Sequence, residues 1–202
     1  MSTSDRTAYH HGDLRRALLD GALEILRREG VGAVSLREVA RVAGVSHNAP
    51  YRHFSSREAL LAGVAAEGFH RLRARLVAAG NELTALGAAY LAFAVVERPC
   101  FLLMFGSTLC KADFPDLAAA ATDALMTLDR IAAGRATSTG GPVDPDVIGA
   151  DTLRAWAIVH GFAHLVADGQ LSLEAASRAL AADGKGCPEP RDAVARERPA
   201  GT

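Results

Sequence analysis

Cysteine is scarce in this chain, and what there is has no pattern. Cys100, Cys110 and Cys187 are odd in number and match no disulfide or zinc-ligand spacing, which argues against a stapled scaffold and against a zinc module. Lysine is scarcer: only Lys111 and Lys185 stand among 22 basic residues, and the rest are arginine. This arginine- and alanine-rich usage suggests a GC-rich bacterial genome. Aromatic residues make up 5% of the chain, with a single tryptophan. The longest uncharged, mostly apolar run, residues 83–96, is too short for the ~20 residues that cross a bilayer. No secretory leader pattern follows Met1, so a reducing cytoplasm is the expected setting. The metalloprotease pattern His-Glu-x-x-His, a nucleophile–base signature and a phosphate-cradling glycine loop are all missing, which leaves a helical enzyme without sequence support. No stretch alternates as a strand would, and no repeat of fixed period occurs.

What is present is helical periodicity and an uneven charge. Residues 1–75 hold 12 Arg against 8 Asp and Glu, whereas the remainder is acidic by five charges. A basic front on an acidic body fits a nucleic-acid-facing head. That head centres on residues 35–57. Leu36, Val39, Ala40 and Ala43 fall on one helical face. Ser35 and Glu38 form a capping box at its start, and Gly44 stands at the C′ position where a left-handed residue is wanted. Ser46 is an N-cap for a further helix to about His53, with Pro50 at its fourth position, where the missing N–H forfeits the first intrahelical bond. Helix, glycine turn, helix is the helix-turn-helix plan, whose second helix enters a major groove. An earlier helix over about 13–29, capped by Asp13 and lined by Leu14, Ala17, Leu18, Ala22, Ile25 and Leu26, reads as its scaffold. The second helix would present His47, Asn48, Tyr51, Arg52 and His53, side chains suited to base edges and phosphates.

Residues 11–71 resemble the DNA-binding head of the tetracycline-repressor (TetR) family of bacterial transcription regulators. The resemblance rests on Glu29-Gly30, Ser35-Leu-Arg-Glu-Val-Ala, Ala43-Gly44-Val45-Ser46, Tyr51-Arg-His-Phe54 and Ser56-Arg57-Glu-Ala-Leu-Leu61. It implies DNA contacts from Ser35, Arg37, Ser46, His47, Asn48, Ala49, Tyr51, Arg52, His53 and Arg57. Tyr51 and His53 would clamp phosphates, and Arg57 would bind one in place of the family's usual lysine. Phe54 is expected to pack inward, and Pro50 replaces the commoner Leu or Val. Trp156-Ala-Ile-Val-His160-Gly161 resembles the Trp/His-Gly pattern of one branch of the family.

The expected architecture is all-α, about nine helices in all. A three-helix head over 11–71 is followed by a helical ligand-binding and dimerisation body over 82–183 and a disordered tail over 184–202. Body helices are expected near 82–98, 116–135, 146–168 and 172–182, with a flexible connection at 137–145. Phe93, Phe101, Met104, Phe105, Trp156 and His160 are candidates to line an effector cavity. Leu153, Val159, Phe162, Val166, Leu173 and Leu180 are candidates for a dimer interface. His160 and His164 have metal-ligand spacing, but nothing near them completes a site, so neither metal nor cofactor is expected. Cys100 and Cys110 read as buried inert thiols rather than oxidant sensors. The function so implied is a ligand-responsive repressor: a cytoplasmic homodimer, released or recruited by an unknown small molecule, on a palindromic operator. A constitutive DNA-binding protein without an effector is the alternative, and an enzyme is the weakest reading.

Overall fold

The computed structural model describes residues 11–132 and 148–183. Among these residues there are eight α-helices and no strand: α1 His11–Glu29, α2 Leu36–Val42, α3 Arg57–Ala79, α4 Leu83–Val96, α5 Arg98–Phe105, α6 Pro115–Ala132, α7 Ala150–Ala167 and α8 Leu173–Asp183. The expected connection at 137–145 and the tail lie outside the described residues, as does the side chain of Asp13.

In the head, Leu18, Ala22 and Leu26 of α1 meet Leu36, Val39 and Ala40 of α2 and Leu60, Leu61 and Val64 of α3, all buried. The two ends of α2 are fixed by its own sequence. The Ser35 hydroxyl accepts from the Glu38 N–H at 3.1 Å, while the Glu38 carboxylate turns to Arg41 instead of closing the box. At the other end Gly44 takes φ +66°, so that the Val45 N–H reaches the Ala40 carbonyl at 3.0 Å and the Gly44 N–H the Arg41 carbonyl at 3.3 Å, a Schellman closure.

The predicted helix over Ser46–His53 is the main difference from expectation. Only Pro50–Arg52 is helical, and as a 3₁₀ turn. The Ser46 carbonyl accepts from the Ala49 N–H at 2.9 Å, the Ala49 carbonyl from Arg52 at 3.2 Å and the Pro50 carbonyl from His53 at 2.9 Å. An α-helix needs the residue 50 N–H on the Ser46 carbonyl. Proline has none, so the segment closes on i→i+3 bonds.

In the body, α3 lies along α6, and α4 along α7 with α8 behind it. At the α3–α5 crossing a Cβ on Gly68 would stand 2.5 Å from Met104 Sδ and 2.7 Å from Cys100 Sγ, so only glycine allows this approach. The apolar segment after Pro99 proves to be helix: α5 starts in a 103° bend after α4, with Pro99 in its first turn, where a missing N–H costs little. No single described helix is long and apolar enough to cross a membrane.

Candidate nucleic-acid interface and the cavities behind it

The side chains expected to meet DNA are used differently in the head. Arg37, Ser46, His47, Asn48, Tyr51 and Arg52 are exposed, and Tyr51 is 58% exposed, far more than a structural tyrosine needs. Among the described residues Arg37 and Arg52 make no ion pair, so both guanidinium groups are available to an anion. Ser35 spends its hydroxyl as the α2 cap. Ala49 is half-buried and Pro50 buried beneath the exposed tips. Phe54 packs inward as expected, 4% exposed, with the Arg15 guanidinium 5.5 Å above its ring.

Two residues depart from their expected roles. The Arg57 guanidinium donates to the Val34 carbonyl at 2.7 Å from Nε and to the Val31 carbonyl at 2.5 Å from Nη2. Within the 3₁₀ turn Val31–Ala33 between α1 and α2 the Val31 carbonyl also accepts from the Val34 N–H at 3.3 Å, so Arg57, in the first turn of α3, adds a charged donor there and a donor to the Val34 carbonyl at the end of the turn. It braces the scaffold in this conformation instead of reaching out to a phosphate. His53 is half-buried, and its Nε2 is enclosed without a hydrogen-bond partner among the described residues.

Two apolar cavities among the described residues share a wall in the body. One, of about 420 Å³, lies between α4, α7 and α8 and is walled by Leu83, Leu86, Tyr90, Trp156, Val159 and Leu180. The other, of about 270 Å³, lies between α3 and α6 and is walled by Phe69, Leu76, Phe105, Lys111, Leu125 and Trp156. Tyr90, Leu128 and Trp156 line both. In that shared wall the Trp156 indole N–H points to the Tyr90 oxygen at 3.4 Å, and Tyr90 Oη lies 2.8 Å from His160 Nδ1. Indole nitrogen can only donate, so Tyr90 accepts from Trp156, and its own hydroxyl proton is free to be given to Nδ1 of a neutral His160. Burial, with the nearby His164 and Lys111 charges, pushes the His160 pKa down to about 4. Burial also raises the Tyr90 hydroxyl well above its usual range.

Of the six side chains expected to line a cavity, Phe105 and Trp156 do. Phe93, Phe101 and Met104 are almost fully buried and serve as core instead. His160 lies behind the cavity wall, its ring 4.5 Å from the Phe105 ring centroid and 5.4 Å from that of Trp156. Leu86, Tyr90, Leu125 and Leu128 were missed, because every leucine of an apolar helix carries the same signal. Of the expected interface residues, Leu153 and Leu173 are about 40% exposed. Phe162 and Val166 are half-buried against the core, and Val159 and Leu180 face the larger cavity. The exposed apolar face of α7 also includes Ile158, Leu165 and the bare Gly161. Cys100 is buried, its thiol pushed up to about 12 chiefly by burial. Cys110 is exposed, against expectation, because it sits in the loop after α5. His160 and His164 stack 4.6 Å apart, but among the described residues no group of three or more His, Cys, Asp or Glu could hold a metal.

Comparison with known proteins accounts for both halves. A model described as bacterial regulatory proteins of the tetR family matches residues 18–64, and one described as the tetracyclin repressor-like C-terminal domain matches residues 83–184. A solved protein of unknown function from Rhodococcus sp. RHA1 is 36% identical, the match covering 89% of this chain and 95% of that chain at a TM-score of 0.69. The HTH-type transcriptional regulator BetI of Rhizobium meliloti (strain 1021) is 40% identical over 65 residues, 32% of this chain. That match spans about a third of the curated relative's length (32%). LfrR from Mycobacterium smegmatis, solved in complex with proflavine, shares the fold at a TM-score of 0.56, with 20% identity over 86% of this chain and 96% of that one. With an exposed reading face on a helix-turn-helix head and both family models matched along its length, the chain is a DNA-binding transcriptional regulator, not an enzyme, and belongs to the tetR family of bacterial regulatory proteins.

Proposed function

We propose that this regulator is a ligand-responsive repressor that acts as a cytoplasmic homodimer on a palindromic operator. In this reading residues 11–71 form the DNA-binding head, and residues 82–183 bind the effector and the second protomer. The observation that carries it is the pairing of an exposed head face with partly open, largely apolar cavities in the body. A constitutive DNA-binding protein would have no need of 420 Å³ and 270 Å³ of apolar space. Solved relatives of the same fold hold small molecules: LfrR holds proflavine, and EbrR, described as a multidrug binding protein, holds imidazole.

Dimerisation is supported by the apolar strip Leu153, Ile158 and Leu165 on α7, continued by Leu173 on α8, with Gly161 permitting close approach. Two-fold symmetry then places one reading segment on each half-site and makes the operator palindromic.

Head and body are joined at the elbow between α4 and α5. There the nearly buried Glu97 carboxylate meets Arg27 of α1 at 2.6 Å, and the next residue, Arg98, donates to the Ala167 carbonyl at the end of α7. A ligand that displaces Tyr90 on α4 or Trp156 on α7 therefore acts on an element already tied to the head. Its effect is set by its different affinity for the two arrangements. The test is selection of bound fragments from genomic DNA, followed by footprinting. The expected result is a protected inverted repeat, and binding that falls steeply with salt as released counterions require. Protection without sequence preference, or a footprint on a single half-site, would sink the operator model.

A further inference from the structure

The two body cavities share three wall residues, Tyr90, Leu128 and Trp156. The polar atoms of that wall satisfy one another through the Trp156–Tyr90–His160 chain. The wall therefore demands no hydrogen bond from a ligand, and a displaced Tyr90 or Trp156 ring would join the cavities into a single elongated space.

The charges around this space are one-sided. No charged side chain lines the larger cavity among the described residues, and Lys111 alone lines the smaller one. Lys111 is half-buried in a short 3₁₀ turn after α5, and makes no ion pair among the described residues. Asp129, the buried carboxylate of α6, accepts from the Gly149 N–H at 3.2 Å and lines neither cavity. The exposed Asp113 and Asp116 line neither cavity.

Behind Phe105 and Trp156 stand the His160 and His164 rings, with His160 neutral, so the charge at this end is that of Lys111 and no carboxylate stands with it in the cavity lining. The suppressed protonation of His160 to about 4 registers burial first, then the His164 and Lys111 charges. An organic cation entering here meets like charge with no carboxylate to offset it. An anion entering here gains a half-buried ammonium that makes no ion pair among the described residues, where such a contact is stronger than with a fully exposed lysine.

We propose that the two cavities are the lobes of one site for an elongated apolar monocarboxylate, its carboxylate on Lys111 and its body running past Tyr90 and Trp156 into the α4–α7–α8 lobe. This assignment rests on the effector reading given above and narrows it to a charge class.

Trp156 is the chain's single tryptophan and lines both lobes, so its emission reports occupancy without a label. The full-length protein is titrated with decanoate, decanol and decylammonium, three probes with the same tail and different heads, and the titrations are repeated on Lys111→Gln and Lys111→Arg. Decanoate is expected to change Trp156 emission saturably, with an affinity at least about tenfold above the other two, as a charge-assisted contact supplies. Lys111→Gln is expected to lose about tenfold toward decanoate and little toward decanol, and Lys111→Arg to retain most of it. Equal or tighter binding of decylammonium or decanol, or undiminished decanoate binding by Lys111→Gln, overturns the carboxylate assignment and leaves the effector reading standing. Silence of Trp156 toward all three probes overturns both.

Discussion

Arg57 shows how far a residue type can be read and where the reading stops. Its position at the start of α3 points to DNA, yet its guanidinium holds the Val31 and Val34 carbonyls of the α1–α2 turn. Arg57→Gln should therefore lower stability by about 1–3 kcal/mol in urea denaturation, since two carbonyls lose charged donors. A pure phosphate contact would leave stability untouched. Tyr51 is the opposite case. Being largely exposed, Tyr51→Ala should leave stability within about 0.5 kcal/mol while weakening operator binding about tenfold, the loss of one good polar contact. Unchanged affinity would remove Tyr51 from the interface. His160 sets a pH dependence. Its folded pKa of about 4 lies below the ordinary value of 6.5, so between these values the unfolded chain binds the extra proton. Stability is then complete above pH 6.5 and declines as pH falls toward 4, by on the order of 1 kcal/mol once partial exposure is discounted. Denaturation midpoints at pH 7 and pH 4.5 measure this, and His160→Gln should flatten the difference that is due to this group.

At the scale of elements, local signals set the ends of α2 and tertiary contacts set the angles. Ser35 and Gly44 were legible as caps because capping involves only near neighbours. Pro50 was legible as a defect, but its outcome, a 3₁₀ turn in place of an α-helix, depends on which carbonyl finds another donor. The α4–α5 elbow was legible only as a stop before Pro99. Its ties to Arg27 and to the α7 terminus join positions 70 and 69 residues apart in sequence, beyond the reach of any periodicity. If this elbow transmits the signal, Glu97→Gln should leave the unliganded protein folded, with weakened communication: the ratio of operator affinities with and without a bound effector moves toward one. An unchanged ratio excludes the elbow as the route. The α3–α5 crossing gives a structural check, since Gly68→Ala forces a Cβ against Met104 and Cys100 and should cost about 1–3 kcal/mol by overpacking.

For the whole molecule, the basic head and acidic body divide the labour. Arg37 and Arg52 stand unpaired on the head, among the described residues, whereas the body exposes large apolar side chains, Leu153, Ile158 and Leu165 on α7 and Leu173 on α8, besides Leu83, Val95 and Val96 on α4. Substitution of Leu165 by Arg puts a charge in the middle of the proposed interface, and should convert a dimer in sedimentation velocity to a monomer. Operator affinity should fall with it, because half-site binding loses the effective concentration of the second head. A Leu165→Arg protein that stays dimeric would move the interface off this face.

The sequence by itself determined the all-helical class, the head with its caps and glycine turn, and the residue types offered to DNA. All of these follow from spacing along the chain and from the restricted backbone of glycine and proline. It could not assign the faces of α4, α5 and α7, because a helix apolar on nearly every side has no polar stripe to orient it. Tertiary packing decided that Phe93, Phe101 and Met104 would fill core while Leu86, Tyr90 and Leu128 faced empty space. It also decided that Val159 and Leu180 would turn to the cavity, that Ile158 would stand at its exposed rim, and that Leu165 would be left outside. The reason is physical: a cavity is the volume several helices fail to fill together, and no single helix encodes where its neighbours will leave room.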